Sequence, residues 1–511
     1  MTQRDSAVAA GPGFVLIAFG LSALCYLLFV SWNVPILDQF AFRQTQTAIS
    51  AYWLLKGGSM LDYQTPVLGY PWSIPFEFPV FQWLVARMSG LFGLSIDHSG
   101  RAISTAFFLG SAALLYRIVL VISTERRLAA LCMGCLLVSP LALFWSRAVM
   151  IESTALFFSM AFVWALVEYR RTENWLMIVA VVAAAILAAL VKITTFYGFA
   201  VFSCGGLLLL LIKDQRLVPS RQIVKMGLLA GVAVLSSLVV LKLWLHHADA
   251  LKAQTLYGVS LASDHLAPWN YGTLAQRLSA ELWKSVVFGR VLQEGIGSVL
   301  VFVVAVLVVL VDKRYRQVGL LLVAAYLAPF LTFTNLHIVH NYYPYANIVF
   351  ATSIVALAIW IVSRLPNAGH WLATGCAAAL CIVSANALSK IYLPSIRQDF
   401  ANDRVIQLAR FLRATTKDDQ TLLAVGLDWA SDVPYYSERR ALLFPDWTPL
   451  DKMREALDPK PAFGDLQLGA FIVCPNKMDE EPERSAAYRK LAEKYQWGRR
   501  ERDIADCKVY F

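Results

Sequence analysis

Three carboxylates stand beside long apolar segments, where ionisable side chains are costly unless they have partners. Asp38 lies in WNVPILDQFAFRQTQTA (32–48), Glu77 lies in PFEFP, and Glu152 follows Arg147 in WSRAVMIES. Each has an ordinary explanation as a helix cap, a rigid loop acid or an acid at a helix N-terminus. Two carboxylates that meet over one cavity act as general base, cation ligand or both. We therefore expect Asp38 and Glu152 to converge as the catalytic pair.

Basic and aromatic side chains recur beside the same apolar segments. Lys192 ends one of them in ALVKITTF, and NLHIVHNYYP (335–344) precedes another. Snorkelling explains the lysine and an interfacial aromatic belt explains the tyrosines, whereas binding of a lipid-linked phosphate is the competing explanation. The candidate substrate-binding residues are Arg43, Glu77, Arg101, Arg147, Lys192, His340, Tyr342 and Tyr343. If a divalent metal ion takes part, its candidate ligands are Asp38, Glu77, Glu152, His337 and His340.

The composition identifies the elements that must position these residues. Of 511 residues, 58% are hydrophobic and 16% are charged, and the mean hydropathy is +0.56. Soluble domains carry about a quarter charged residues, whereas this chain has many apolar runs near the ~20 residues that cross a bilayer. The net charge of +10 reflects topology and anionic lipids, because no basic-aromatic surface outside the apolar runs suggests a nucleic-acid partner. We predict an all-α polytopic membrane protein.

Eleven segments are predicted to span the membrane. They are 12–32, 102–122, 128–144, 153–168, 175–191, 195–212, 223–243, 293–311, 317–334, 345–363 and 369–388. The segment 78–94 contains Pro79 and Arg87, so we interpret it as an interfacial helix in the outer loop 33–101. With the N terminus inside, the positive-inside rule then places the basic loops in the cytoplasm and the C-terminal region outside.

The C-terminal region changes its pattern. Helices are predicted over 400–414 and 483–495, and TLLAVG, AFIVC and CKVYF read as strands. We predict a transmembrane domain over 1–392 and a small periplasmic α/β domain over 393–511. Cys474 and Cys507 lie in that domain and can pair if it faces an oxidising compartment.

Four short motifs resemble those of GT-C-fold membrane glycosyltransferases. They are the acid Asp38 in the first outer loop, Glu77-x-Pro79 before the interfacial helix, Arg147-x4-Glu152, and His-x-Tyr-Tyr at 340–343. Within that fold the chain most resembles the branch of protein O-mannosyltransferases and lipid A aminoarabinose transferases. The likeness extends over about residues 10–390 as a pattern of spans and loops.

The resemblance implies inverting transfer of a sugar from a polyprenyl-phosphate donor to a lipid, glycan or protein acceptor, at the outer face of a bacterial inner membrane. Asp38 is then the base, and Glu152 is the second acid near phosphate, metal or acceptor. Arg101 and Lys192 compensate phosphate charge, while His340 and Tyr343 line the donor side. The chain departs from the family pattern at Gln39, usually acidic, and at Glu77-Phe78-Pro79, usually His-Pro-Pro. The resemblance therefore fixes neither metal use nor the acceptor.

Three other functions fit a polytopic membrane protein. A transporter or flippase places ionisable or helix-breaking residues deep within its spans and often has internal repeats. An O-antigen polymerase or ligase uses a diphosphate-linked donor, and a structural assembly protein uses its C-terminal domain for binding. The ionisable residues here gather at the outer ends of predicted spans, and no repeat is visible. This placement favours an enzyme.

Overall fold

The computed structural model describes residues 11–214, 220–448, 460–475, 482–496 and 498–511. The chain divides into two compact units. The first, which we call the helical unit, contains the segment that ends at Asn33 together with Arg101–Leu243 and Ala267–Ile396. The second, the mixed unit, contains Val34–Gly100, Trp244–Leu266 and Arg397–Phe511.

The described helices and strands follow one another in this order. The α-helices are α1 Pro12–Ser31, α2 Ala41–Leu55, α3 Val80–Phe92, α4 Ile96–Ser123, α5 Arg126–Leu137, α6 Pro140–Trp145, α7 Glu152–Thr172, α8 Trp175–Asp214, α9 Arg221–Lys252, α10 Ser263–Tyr271, α11 Leu274–Leu278, α12 Gln293–Ile296, α13 Val299–Val311, α14 Arg316–Thr332, α15 Thr334–Val339, α16 Pro344–Ser363, α17 Gly369–Ala387, α18 Leu393–Ile396, α19 Arg404–Thr415, α20 Asp432–Ser437, α21 Lys460–Phe463 and α22 Pro482–Gln496. The strands are β1 Gln420–Val425, β2 Arg440–Leu443, β3 Gln467–Val473, β4 Glu501–Ile504 and β5 Cys507–Tyr510.

Long apolar helices dominate the helical unit, as predicted. Within the described residues, six helices are long and apolar enough to cross a membrane, or seven if a bent pair counts as one span. Close packing between helices is visible at Gly20 of α1, where an added Cβ would lie 2.6 Å from the carbonyl oxygen of Leu137 in α5. Small residues at such contacts let apolar helices approach each other in a membrane. The prediction of a polytopic helical membrane protein is confirmed.

Several predicted spans are broken in the structure. The backbone of α8 is not helical at Lys192 (φ −164°, ψ 94°), between the predicted spans 175–191 and 195–212. The predicted span 128–144 is divided between α5 and α6, where Ser139 caps the second helix. The predicted span 293–311 is not one straight helix, because Gly297 adopts a positive φ and the chain bends by 89° there. The count of eleven stays a prediction.

The mixed unit contains a five-stranded sheet in the order β2-β1-β3-β5-β4. Strands β2, β1 and β3 are parallel, while β5 is antiparallel to both β3 and β4. The three predicted strands correspond to β1, β3 and β5, and the predicted helices to α19 and α22. Strands β2 and β4 were not predicted. A disulfide joins Cys474, directly after β3, to Cys507 at the start of β5, which confirms the predicted pairing.

The first outer loop belongs to the same unit as this sheet. The amide of Ala441 in β2 donates to Pro66 O (2.9 Å), and that of Leu443 donates to Val67 O (2.9 Å). Val67 is fully buried. Predicted domain boundaries at 392/393 assigned the loop to the transmembrane domain, whereas the structure groups 34–100 and 244–266 with the C-terminal region. The reason is backbone pairing between segments that are distant in sequence.

The predicted interfacial helix over 78–94 is present as the 13-residue helix α3 in this loop. It begins directly after Pro79, whose ring cannot donate a backbone hydrogen bond and therefore suits a helix start. It ends at Gly93, which adopts a left-handed conformation (φ 66°).

Candidate active site

Asp38 is buried in the mixed unit, at the entry to helix α2. Its Oδ1 accepts hydrogen bonds from the Gln44 side-chain amide (2.9 Å) and from the Gln39 backbone amide (3.0 Å). Phe40, which caps α2, has a left-handed backbone (φ 45°) that turns the chain into the helix. Gln44 is also buried and donates to the Gln39 carbonyl (2.8 Å). The turn thus fixes the orientation of the Asp38 carboxylate.

Arg43, the first polar residue of α2, pairs with Glu77. The Arg43 Nη2 to Glu77 Oε2 distance is 2.9 Å, and both side chains are largely buried. Glu77 Oε1 accepts from the Gln82 amide of α3 (2.8 Å), so both carboxylate oxygens are engaged. Arg43 also contacts the Gln46 side chain. The pair links α2 to the start of α3 within the mixed unit.

Tyr63 holds the Glu77 backbone in place. Its hydroxyl donates to the Glu77 carbonyl (3.0 Å) and accepts from the Phe76 amide (3.0 Å). Burial, and secondarily the Glu77 charge, raises the pKa of Tyr63 well above its usual range. The phenol is therefore a neutral donor at physiological pH. The prolines at 75 and 79 further restrict the backbone of this segment.

Glu152 and Lys192 form a buried ion pair in the helical unit. Glu152 begins helix α7, and its Oε1 lies 2.5 Å from the Lys192 Nζ, with the two side chains 4% and 9% exposed. Lys192 is the residue that interrupts α8. The other oxygen of Glu152, Oε2, is buried and accepts no hydrogen bond from the described residues. Such a buried acceptor without a partner is costly and points to a ligand.

Aromatic side chains from the predicted NLHIVHNYYP segment surround this ammonium group. The Lys192 Nζ lies 3.6 Å from the centroid of the Tyr343 ring and 5.1 Å from that of Tyr342. The His340 ring lies 5.1 Å from Tyr343 and 5.4 Å from Tyr342. Desolvated cation–π contacts of this kind contribute about 1–2 kcal/mol each. The structure thus brings together Glu152, Lys192, His340 and both tyrosines.

His337 lies on α15 and is uncharged at neutral pH. Its ring packs against Phe330 (4.4 Å between centroids) and Tyr343 (5.8 Å). Burial, helped by the charges of Lys192, Arg290 and His340, lowers the pKa of His337 to about 3. It is therefore a neutral wall of the site rather than a cation.

Two further predicted residues, Arg147 and Arg101, are buried arginines of the helical unit. The Arg147 guanidinium lies over the Phe144 ring (4.3 Å), and Tyr392 stacks on the same ring (4.3 Å). Arg101 on α4 donates to the carbonyl of Trp32 (3.2 Å). Each is 1% exposed. Buried arginines add positive charge to the unit that also holds Lys192.

Sequence reasoning missed a neighbouring group. Arg290 donates to the His337 carbonyl (2.5 Å), and its Nε is buried with no partner among the described residues. Tyr392 donates to Glu294 (2.8 Å), a largely buried acid. In the sequence these residues form a second charged segment, RVLQE (290–294), at the start of the predicted span 293–311. Because that span reads as one continuous helix, no site is predicted there.

The described residues contain no group of three or more His, Cys, Asp or Glu side chains that could hold a metal ion. Glu77 is engaged by Arg43 and Gln82, and Glu152 by Lys192. The candidate ligands Asp38, Glu77, Glu152, His337 and His340 stay a prediction. Asp38 lies in the mixed unit and Glu152 in the helical unit, and their convergence stays a prediction.

Comparison with known proteins identifies the fold. Residues 60–257 match the family model of dolichyl-phosphate-mannose-protein mannosyltransferases. The fold is similar to that of ArnT from Cupriavidus metallidurans bound to undecaprenyl phosphate (TM-score 0.64, 12% identity, 97% of both chains). The chain has the GT-C fold of membrane glycosyltransferases. This confirms the predicted fold, and the family match agrees with the predicted enzyme class.

Two other solved structures share the fold of this chain. The archaeal oligosaccharyltransferase AglB from Archaeoglobus fulgidus, in complex with an inhibitory peptide and a dolichol-phosphate, aligns with a TM-score of 0.58 and 10% identity, over 96% of this chain and 74% of that one. Mycobacterial arabinofuranosyltransferase AftD aligns with a TM-score of 0.51 and 13% identity, over 97% of this chain and 39% of that one. No curated protein matches the sequence.

Proposed function

We propose that this glycosyltransferase transfers a sugar from a polyprenyl-phosphate donor to a lipid, glycan or protein acceptor, with inversion at the anomeric carbon. The observation that carries the proposal is the buried Glu152–Lys192 pair, capped by Tyr342 and Tyr343, in a unit that also buries Arg101 and Arg147. These buried cations supply the kind of charge that stabilises a phosphate. Two similar structures contain a polyprenyl-type phosphate, undecaprenyl phosphate and dolichol-phosphate.

Asp38 and the buried cations have different roles in the proposed reaction. The acceptor hydroxyl gives its proton to the Asp38 carboxylate while its oxygen attacks the anomeric carbon from the face opposite the phosphate. The bond between that carbon and the phosphate oxygen breaks, and its electron pair leaves with the polyprenyl phosphate. Lys192 and the buried arginines stabilise the negative charge that develops on the leaving group.

Glu152 positions Lys192 in this account and offers its second oxygen to a substrate hydroxyl. A fixed ammonium is more effective than a mobile one, because no reorganisation is needed when charge develops. The aromatic rings around Lys192 exclude water and so strengthen the electrostatic interaction.

We place the enzyme in the inner membrane of a bacterium, with the C-terminal region in the periplasm. The Cys474–Cys507 disulfide supports this orientation, since such bonds persist in oxidising compartments. The excess of basic residues in the loops predicted to be cytoplasmic supports it as well.

The test uses purified full-length protein with synthetic undecaprenyl-phosphate and undecaprenyl-diphosphate sugars, together with candidate acceptors. We expect release of undecaprenyl phosphate and a product whose anomeric configuration, measured by NMR, is opposite to that of the donor. Turnover of only the diphosphate donor would contradict the proposal and favour a polymerase or ligase. Movement of the donor across vesicles without any product would favour a flippase.

A further inference from the structure

Two adjoining chambers lie within the helical unit. Neither is lined by the Glu152 cluster, which consists of Glu152, Lys192, His340, Tyr342 and Tyr343. The first has a volume of about 180 Å³ and is walled mainly by apolar residues of α4, α7, α8, α14 and α16. The second has a volume of about 470 Å³ and is walled by α4, α7, α8, α9 and α14. They share the lining residues Ile122, Val163, Phe202 and Val318. The two chambers are therefore neighbours with a common apolar wall.

The second chamber has a basic rim. Arg170 and Arg171, at the end of α7, and Lys213, near the end of α8, line it, together with Gln222 of α9. No acidic residue among the described ones lines it. Arg171 is held by Glu168, whose Oε1 accepts from its Nε (2.9 Å), whereas the side chains of Arg170 and Lys213 have no acidic partner among the described residues.

The backbone at the rim is fixed. The side-chain amide of Gln222 donates to the carbonyl of Arg170, which ties the start of α9 to the end of α7. Lys225, one turn further along α9, pairs with Glu173 (2.6 Å) directly after α7. The opening between these helices is therefore defined by specific contacts.

The positive-inside rule explains why basic residues occur at this end of the helices. The rule does not explain why the side chains of Arg170 and Lys213 line an apolar chamber. A cationic mouth above an apolar cavity matches an amphiphile with an anionic head and a hydrocarbon tail. In the predicted topology this end faces the cytoplasm, whose leaflet supplies anionic lipids.

We propose that these chambers bind one anionic phospholipid, with the phosphate at Arg170 and Lys213 and an acyl chain in the apolar interior. The site goes beyond sugar transfer, since none of its residues belongs to the Glu152 cluster. Its occupant is a phosphodiester lipid of the surrounding membrane, and phosphatidylglycerol serves as the probe.

Gly206 offers a way to fill the second chamber without disturbing its walls. It lines that chamber, and an added Cβ would meet no atom within 4 Å. Leucine also favours a helix over glycine, so G206L should fold and occupy the space of the acyl chain. Gly375 of α17 has equally open surroundings but does not line either chamber, so G375L is the matched control.

The experiment is native mass spectrometry of the full-length protein with equal amounts of phosphatidylglycerol and phosphatidylethanolamine. We expect one tightly retained phosphatidylglycerol in the wild type. Loss of two cations in R170A/K213A should weaken that retention by about 30-fold, and G206L should abolish it. The control R126A/R127A removes two exposed charges from the same predicted face, outside the lining residues, and should bind like wild type.

Three outcomes would overturn the proposal. Equal retention of both lipids by the wild type would mean that the rim does not recognise an anion. Undiminished phosphatidylglycerol in R170A/K213A would place the lipid elsewhere, and this variant decides the matter even if G206L unfolds. Displacement of phosphatidylglycerol by undecaprenyl phosphate, with dependence on the same residues, would make the chambers a donor site. Absence of transfer activity in a wild-type protein that still binds the lipid would contradict the proposed function but not the lipid site.

Discussion

The buried ion pairs Arg43–Glu77 and Glu152–Lys192 differ in how fully the carboxylate is used. Glu77 of the mixed unit accepts from Arg43 at one oxygen and from Gln82 at the other. Glu152 of the helical unit accepts from Lys192 at one oxygen, while the other is buried and has no partner among the described residues. The sequence pattern is the same for both acids, since each is a carboxylate beside an apolar segment.

We interpret this difference as one between an acid that holds the fold together and an acid that is prepared for a ligand. A carboxylate with both oxygens satisfied gains nothing further from a substrate, and it holds two helices together. A buried oxygen without a donor costs about 1–3 kcal/mol, which a substrate hydroxyl would return on binding. We therefore expect substitutions at Glu152 to change activity most and substitutions at Glu77 to change stability most.

The largest effect is expected for E152Q. Glutamine keeps the shape of the side chain but removes the charge that orients Lys192 and replaces an acceptor oxygen with a donor. Transfer should fall by about 10²-fold or more, measured as release of undecaprenyl phosphate by the purified enzyme. The double variant E152Q/K192M also removes the cation that Glu152 balances, so it should regain thermal stability but not activity. Activity within threefold of wild type in E152Q would remove the distinction between the two pairs.

A smaller effect on activity and a larger one on stability are expected for E77Q. The substitution leaves the Arg43 charge buried without its carboxylate, which costs about 3 kcal/mol. The melting temperature should drop, while transfer by the folded fraction stays within tenfold of wild type. The variant R43M/E77Q should recover most of the lost stability. A stable E77Q enzyme without activity would show that Glu77 contacts substrate.

The smallest effect concerns the acid stability of the helical unit through His337. Its pKa is lowered to about 3 in the folded protein, below the ordinary value of about 6.5, so the unfolded chain binds more protons between these values. Stability from the neutral ring is therefore complete above pH 6.5 and declines as the pH falls below it. H337Q should show a shallower loss of melting temperature between pH 7.5 and 5.5 than wild type.

The exposed His246 supplies the control for this measurement. H246Q should retain the pH dependence of the wild type. Parallel pH profiles for wild type and H337Q would contradict the assigned titration.

Local patterns predicted much of the fold. Helices α1, α4 and α16 match predicted spans because an apolar run of the right length specifies a membrane helix without reference to the rest of the chain. The strands at β1, β3 and β5 were recognised for a similar reason, since alternating or continuous apolar residues lie between turns. Strand β4 was missed because its sequence, ERDI, is almost entirely polar and it lies at the edge of the sheet, where it pairs with β5.

Relations between distant segments could not be predicted. The pairing of Arg43 with Glu77 and of Glu152 with Lys192 connects residues 34 and 40 positions apart, and sequence patterns gave no preference for these partners. The hydrogen bonds between the first outer loop and β2 also join distant segments, so local sequence patterns do not predict them. The bend at Gly297 was missed because the apolar run continues through it, and hydropathy does not register a single left-handed residue.

The most direct test of the account is the transfer activity of D38N, which keeps the size of the side chain but removes its basicity. The exposed Asp62, whose partner is His247, gives the matched control D62N. If Asp38 takes the acceptor proton, D38N loses at least 10²-fold in transfer from undecaprenyl-phosphate sugar, with an unchanged melting temperature, while D62N stays active. Full activity of purified D38N would contradict the assignment of Asp38 as the base.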